Sequence, residues 1–358
     1  MKGKAGKWLQ CGVIIGVILL VVFVMKWGGG RFGTGVLQKY SITYTDAFDT
    51  VTQIMGYAKT EEEFLDTVHC IHEKMLEYHS YFDIYNEYPG INNLKTVNDH
   101  AGMGPVSVNQ EIMDLLVLGK EIYSKTDGQV NIAMGSVLRI WHNCREEASL
   151  SPESAKVPTR DELDDAAQHM NMDMLILDEE NLTVELADEE MSLDVGSLAK
   201  GYAADLLKEY AKELGVEHML ISLGGNIITI GVKPDDSPWQ IGVQNPLYTG
   251  ESFSEAQYIT SAEILNQAAV TSGNYQRYYV VDGVSYCHII DPDTLMPGSH
   301  FASVTIIGPE SAMADALSTA LFNMSLEEGR TLIESMDDWN AIWITLEGDV
   351  IYTDGFDK

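Results

Sequence analysis

Asp194-Val-Gly-Ser-Leu-Ala-Lys-Gly-Tyr-Ala-Ala-Asp205 carries the chain from an extended segment into a helix. The apolar residues just before it, Met191 to Leu193, read as a short strand. Beyond it, Leu198, Tyr202, Leu206 and Tyr210 recur four apart, on one face of a helix that runs to Gly215. The first turn of that helix holds Gly196, Ser197 and Lys200. Free backbone N–H groups, the positive end of the helix dipole and a lysine together suit a phosphate. Asp194 could equally be an N-terminal cap, with glycines that only turn the chain. On its own the segment leaves both readings open.

Outward from this junction, helical and strand patterns come in clusters. Thr60 and Glu63 form a capping pair ahead of Phe64, Leu65, Val68, Ile71, Met75 and Leu76 at helical spacing. A second helix is expected from Ser107 through Ile112, Leu115, Leu116 and Ile122 to a stop at Asp127-Gly128, and Thr159 with Glu162 caps a third. Strand patterns fit Met174 to Leu177, Leu182 to Leu186, Met219 to Leu223, Ile227 to Val232, Trp239 to Val243, Tyr278 to Val281 and Ser303 to Ile307. No repeat and no linker divides residues 37–358. The expected class is α+β, one body of mixed sheets flanked by helices.

Three further places carry candidate chemistry. In Met313-Ala-Asp-Ala-Leu-Ser-Thr-Ala-Leu-Phe322, a helix puts Asp315 and Thr319 on one face a turn apart. Carboxylate and hydroxyl are hard ligands suited to Mg²⁺ or Ca²⁺; an exposed Asp beside a back-bonded Thr is the plainer account. In Tyr286-Cys-His-Ile-Ile-Asp-Pro-Asp-Thr294, His288 ends a strand and Asp291 to Thr294 read as a tight turn. A histidine beside an acid can take a proton from an attacking hydroxyl, and a purely structural turn is the alternative. Ser222-Leu-Gly-Gly-Asn226 and Val270-Thr-Ser-Gly273 are Gly-containing strand ends where backbone can approach a ligand.

The formal charge is −32, and the first 36 residues contribute five basic residues and no acid. A body this acidic repels nucleic acid, so a nucleic-acid function is excluded. Lys2, Lys4 and Lys7 precede an uncharged run from Trp8 to Met25. As a helix, that run would rise about 27 Å, near the thickness of a bilayer core. The expectation is a membrane anchor at residues 1–27, retained or an uncleaved signal, then a Gly-rich tether at 28–36 and an extracytoplasmic body. Cys11, Cys70, Cys144 and Cys287 show neither disulfide nor metal spacing and read as buried small hydrophobes. His69, His72 and His79 lack the acids or cysteines that would complete a metal set, and read as core or surface residues.

The segments DVGSLAKGYAAD, SLGGN, TSGNYQRYY, HIIDPDT and ADALSTALF stand in the order and spacing of the ApbE family, the FAD:protein FMN transferases. FDIYNEYPGINNLKTVND and VNIAMGSVLRIW also resemble that family's flavin-cradling segments, so the resemblance runs from about Ala47 to the C-terminus. It implies that Asp194 and Lys200 contact FAD, and that Ser197, Asp315 and Thr319 hold Mg²⁺. It further implies that Ala133, Met134 and Gly135 line the flavin, that Phe48, Phe82 and Ile289 lie against the cofactor, and that His288 serves binding and catalysis. Near Phe48 the family often has Met-Gly-Thr, where this chain has Phe48-Asp49-Thr50. The implied reaction moves FMN from FAD to a Thr or Ser hydroxyl of an acceptor flavoprotein with an FMN-binding domain. AMP would be released, and His288 or Asp291 would take the proton. Acceptors in membrane redox complexes or surface electron-transfer chains are implied as partners. The residues leave two alternatives: an FAD pyrophosphatase giving FMN and AMP, and a surface flavin-binding protein without chemistry.

Overall fold

The computed structural model describes residues 36–248 and 257–356. The expected anchor at 1–27, and the tether except for residue 36, lie outside the described residues. No helix among the described residues is long and apolar enough to cross a membrane.

The chain opens with β1 (Gln38–Ala47) and β2 (Thr50–Ala58), then α1 (Glu61–Phe82), α2 (Leu94–Asp99) and β3 (Val106–Ser107). Next come α3 (Gln110–Lys125), α4 (Gly135–Leu150), α5 (Arg160–Ala167), β4 (Leu175–Asp178), β5 (Thr183–Leu186) and α6 (Ala199–Glu213). Strands β6 (Met219–Leu223), β7 (Asn226–Ile230), β8 (Trp239–Gln244), β9 (Tyr258–Ile264), β10 (Ala268–Gly273), β11 (Tyr278–Val281), β12 (Val284–Cys287) and β13 (Ser303–Gly308) follow. The last elements are α7 (Ser311–Asn323), α8 (Leu326–Glu334), β14 (Asn340–Ile344) and β15 (Val350–Tyr352).

Eight strands form one sheet in the order β1-β2-β6-β7-β10-β13-β14-β15, with β3-β5-β4, β8-β9 and β11-β12 as small satellites. The mixed sheets expected from sequence prove antiparallel at every named strand pairing. Period-two alternation sorts the apolar side chains between the two faces of the main sheet. Ile221, Val304, Ile306 and Trp343 turn to the face covered by α1, α6 and α7. Leu220, Ile307, Ile342 and Ile344 turn to the other face, where Trp239, Ile241 and Ile264 of the β8–β9 hairpin close over them. The body is thus α+β, with helices, sheet and hairpin as three layers. A third cluster joins α4 and α5 to the β11–β12 hairpin through Trp141, Tyr279 and Leu295, and Trp141 Nε1 donates to the Leu295 carbonyl at 2.9 Å.

Local chemistry explains where the expectations move. The second helix begins at Gln110 rather than Ser107, because Asn109 caps the Ile112 N–H at 2.9 Å and Ser107 pairs with Thr183 in β3. Met191 to Leu193 makes only an isolated bridge, Ser192 with Met134, and no strand. The caps at Thr60 and Thr159 stand as expected. Cys144 and Cys287 are buried free thiols, whereas Cys70 is partly exposed.

Helix α7 decides the centre of the molecule. Nearly all of it is buried, between α6 on one side and β10 and β13 on the other. Its alanines permit that depth. Gly201 is required where α6 crosses it, since a Cβ there would lie 2.3 Å from the Ser311 carbonyl oxygen.

Candidate active site

A cavity of about 520 Å³ opens where the β6–β7 turn stops short of its neighbours β2 and β10. The first turn of α6 and one face of α7 form its floor, with Ser197, Lys200, Asp315 and Thr319 on the lining. The β1–β2 turn, the end of α1 and the start of α4 supply one wall, and Arg277 and His288 at the two ends of the β11–β12 hairpin supply another.

At the floor, Asp194 Oδ1 accepts the Gly196 N–H at 2.8 Å and so shapes the turn into α6. Burial drives the Asp194 carboxyl above its usual range, although that hydrogen bond and the positive charges of Lys200 and Arg145 oppose it. The Lys200 ammonium stands 3.6 Å from Asp315 Oδ2, which also accepts the Gly201 N–H at 2.9 Å. Thr319 lies one turn further along α7, its Oγ1 3.4 Å from the Ser272 hydroxyl of β10.

No group of three metal-type His, Cys, Asp or Glu side chains occurs among the described residues. What the floor offers is one carboxylate, one hydroxyl and the Ser197 segment, all hard oxygen donors. Asp315 keeps one oxygen outside its bond to Gly201. Such a set fits Mg²⁺, which takes few protein ligands and completes its shell with water and phosphate oxygens. It does not fit a metal that needs a full protein cage.

Cations gather here although the chain carries −32 overall. Lys200, Arg145 and Arg277 all line the cavity, with the His142 imidazole beside them. Neither arginine forms an ion pair among the described residues. Arg145 Nη2 instead meets His142 Nδ1 at 2.9 Å, and Arg277 donates to the Asp49 carbonyl at 3.1 Å. Burial, then the charges of Arg277, Arg145 and Lys200, push His288 down to about 3, so it is neutral at physiological pH. Its Nδ1 is buried without a hydrogen-bond partner, as are Gln129 Oε1 and Asn226 Nδ2 on the same lining. Buried polar atoms are seldom left unpaired, so three around one cavity mark a place built for a polar ligand.

Of the residues singled out from sequence, Phe48, Phe82, Met134, Asp194, Ser197, Lys200, His288, Ile289, Asp315 and Thr319 meet on this one lining. Ala133 and Gly135 do not reach it. Ala133 is fully buried in the core, and Gly135 packs against Ser192, where a Cβ would sit 2.4 Å from the carbonyl oxygen. Asp291 is also absent from the lining: its carboxylate accepts the Asp293 N–H at 2.8 Å and the Thr294 hydroxyl at 2.9 Å, holding the turn. Sequence reasoning missed Arg145, Arg277, His142, Gln129 and Tyr85, whose ring stacks on His142 with centroids 5.3 Å apart. Scarcity was the available signal, since only 22 residues are Lys or Arg.

The ApbE family model matches residues 38–343. The chain is 33% identical over 257 residues to the FAD:protein FMN transferase of Klebsiella pneumoniae (strain 342), covering 71% of this chain and 75% of that protein. It is 30% identical over 260 residues to the FAD:protein FMN transferase of Treponema pallidum (strain Nichols), covering 70% of each. The crystal structure of the ApbE protein from Thermotoga maritima superposes with a TM-score of 0.76 at 29% identity, over 89% of this chain and 98% of that one.

Proposed function

Since the chain belongs to the ApbE family and is an FAD:protein FMN transferase, we propose that it places FMN on a Thr or Ser hydroxyl, with Mg²⁺ held by Asp315, Thr319 and Ser197. The observation that carries this reading is the convergence of Lys200, Arg145 and Arg277 on one cavity in so acidic a protein. A diphosphate is the part of FAD that such a set recognises.

The acceptor oxygen forms a bond to the phosphorus on the FMN side, the diphosphate bond breaks, and AMP leaves with the electron pair. Lys200, with Arg145 and Arg277 on the same lining, stabilises the charge that gathers on the leaving phosphate. Bound at Asp315 and Thr319, Mg²⁺ would supply charge neutralisation on the phosphate oxygens. His288 takes the proton of the hydroxyl. Burial depresses it most and the cations add to that; a diphosphate offsets the cations, so His288 is a stronger base with substrate present than without it. Asp291, tied into its turn, has no part in this scheme.

The acceptor is a flavoprotein with an FMN-binding domain, of a membrane redox complex or a surface electron-transfer chain. A body outside the membrane, anchored by residues 1–27, belongs to the same proposal. Its support is the basic start followed by the uncharged run from Trp8 to Met25. The deciding experiment is mass spectrometry of a candidate acceptor incubated with the protein, FAD and Mg²⁺. A gain of one FMN, absent without Mg²⁺, is expected; free FMN with an unmodified acceptor overturns the reading.

A further inference from the structure

We propose that His79 is a positioning residue for the transfer: it holds the Phe48–Asp49 turn, and the turn holds Arg277 over the cavity. This rests on the reading that the cavity receives FAD.

Phe48 and Asp49 join β1 to β2 with φ of 55° and 49°. Left-handed backbone suits a two-residue hairpin turn, but Asn and Gly supply it readily and Phe does not. A conformation of this kind persists only where its surroundings fix it. Two contacts do so here. The Phe48 N–H donates to His79 Nδ1 at 3.2 Å, and Arg277 Nη2 donates to the Asp49 carbonyl at 3.1 Å. The Phe48 ring also meets the imidazole edge-on, with centroids 5.4 Å apart.

Counting protons fixes the imidazole tautomer. The Asp83 carboxylate accepts the Tyr85 N–H at 2.7 Å, both the N–H and the side-chain amide of Asn86, and the Tyr88 hydroxyl at 2.9 Å. Burial works to raise the Asp83 carboxyl, yet these bonds hold it below the usual range, so it accepts and never donates. The single Tyr88 proton is therefore committed to Asp83. Tyr88 oxygen must accept from His79 Nε2–H, 3.2 Å away. With its proton on Nε2, His79 has a bare Nδ1, which is what the Phe48 N–H requires. At the far end, the Arg277 carbonyl accepts the His288 N–H at 3.0 Å. One run of bonds thus leads from Asp83 through Tyr88, His79 and the turn to Arg277 and on to His288.

Two measurements test this. ¹⁵N NMR of the full chain should find His79 protonated at Nε2 and bare at Nδ1, with or without FAD. A proton on Nδ1 overturns the proposal and leaves the reading of the cavity intact. FAD affinity, followed by flavin fluorescence, should fall about tenfold in His79→Ala. In an Arg277→Ala background the same substitution should cost clearly less, about threefold, because Arg277 carries most of its effect while Phe48 and His79 also line the cavity. His79→Asn, whose amide oxygen can accept from Phe48, should recover most of the affinity. So should Asp49→Gly added to His79→Ala, since glycine adopts the turn unaided. Equal losses in the two backgrounds, or failure of both rescues, overturn the proposal. No FAD binding by the unsubstituted chain overturns both the proposal and the reading beneath it.

Discussion

Asp205 on α6 and Asp315 on α7 each cap the helix that carries the other. Asp205 accepts the Ser311 and Ala312 N–H groups at 2.9 and 2.8 Å, and Asp315 accepts the Gly201 N–H at 2.9 Å. Neither helix can slide along its neighbour without breaking charge-assisted hydrogen bonds, so the floor of the cavity is rigid.

Asp315 therefore has a structural duty beside its proposed one at the metal, and two substitutions separate them. Asp315→Asn keeps an oxygen for Gly201 and should hold stability close to the native value. Asp315→Ala should lose about 1–2 kcal/mol in urea denaturation. Both should reduce Mg²⁺-dependent transfer about a hundredfold or more. Full activity in either, read as flavin fluorescence retained on a denatured acceptor, removes the metal assignment.

Asp205 makes stability depend on pH. Burial raises its carboxyl from 3.8 to about 6, against the opposing pull of the Ala312 and Ser311 N–H groups and Lys208. The folded state then holds the proton more tightly than the unfolded chain. This contribution is complete below about pH 4 and is lost as pH rises to about 6. Asp205→Asn has no such slope. Its deficit against the native protein should be larger at pH 4.5 than at pH 7 in paired denaturation curves; a deficit that grows with pH contradicts the assignment.

His288→Gln should retain FAD binding while transfer falls about a thousandfold, the range of a lost general base. In the free protein, NMR should show His288 unprotonated from pH 8 down to 5. Its folded pKa lies below the unfolded 6.5, at about 3, so its neutral burial adds stability above pH 6.5 that fades as pH falls towards 3. Adding ADP, whose diphosphate offsets Arg277, Arg145 and Lys200, should move the titration upward. No movement would separate His288 from the phosphate seat.

Gly201→Ala offers a steric check. In an exposed helix the change gains about 1 kcal/mol. Here the new methyl would sit 2.3 Å from the Ser311 oxygen and 2.7 Å from Asp315 Cβ. A net loss of about 2 kcal/mol and weaker metal-dependent transfer are expected together. A stabilised, fully active variant would mean that the α6–α7 crossing is looser than described.

The parts of the site legible in sequence were those that recur in short ordered runs. Asp194, Ser197 and Lys200 sit in one helix-opening segment, and Asp315 with Thr319 in another, so spacing alone set their faces. Arg145 and Arg277 were not legible, because α4 and the β11–β12 hairpin are brought together by tertiary packing in the Trp141 cluster, between positions far apart in the chain. Asp291 misled for the converse reason: nearness to His288 in sequence says nothing about direction, and its turn faces the carboxylate inward on Asp293 and Thr294. The β1–β2 hairpin was missed because Phe48 is not a residue that signals a left-handed turn position, and the turn is held from outside by His79 and Arg277.

The cluster of cations inside so negative a molecule has a kinetic consequence. An anionic dinucleotide approaching from solution first meets a repulsive far field, and feels Lys200, Arg145 and Arg277 only within the last several ångströms. Added electrolyte damps the outer repulsion and the inner attraction alike. Arrival should quicken with ionic strength while departure quickens too, leaving equilibrium affinity far less sensitive to salt than either rate.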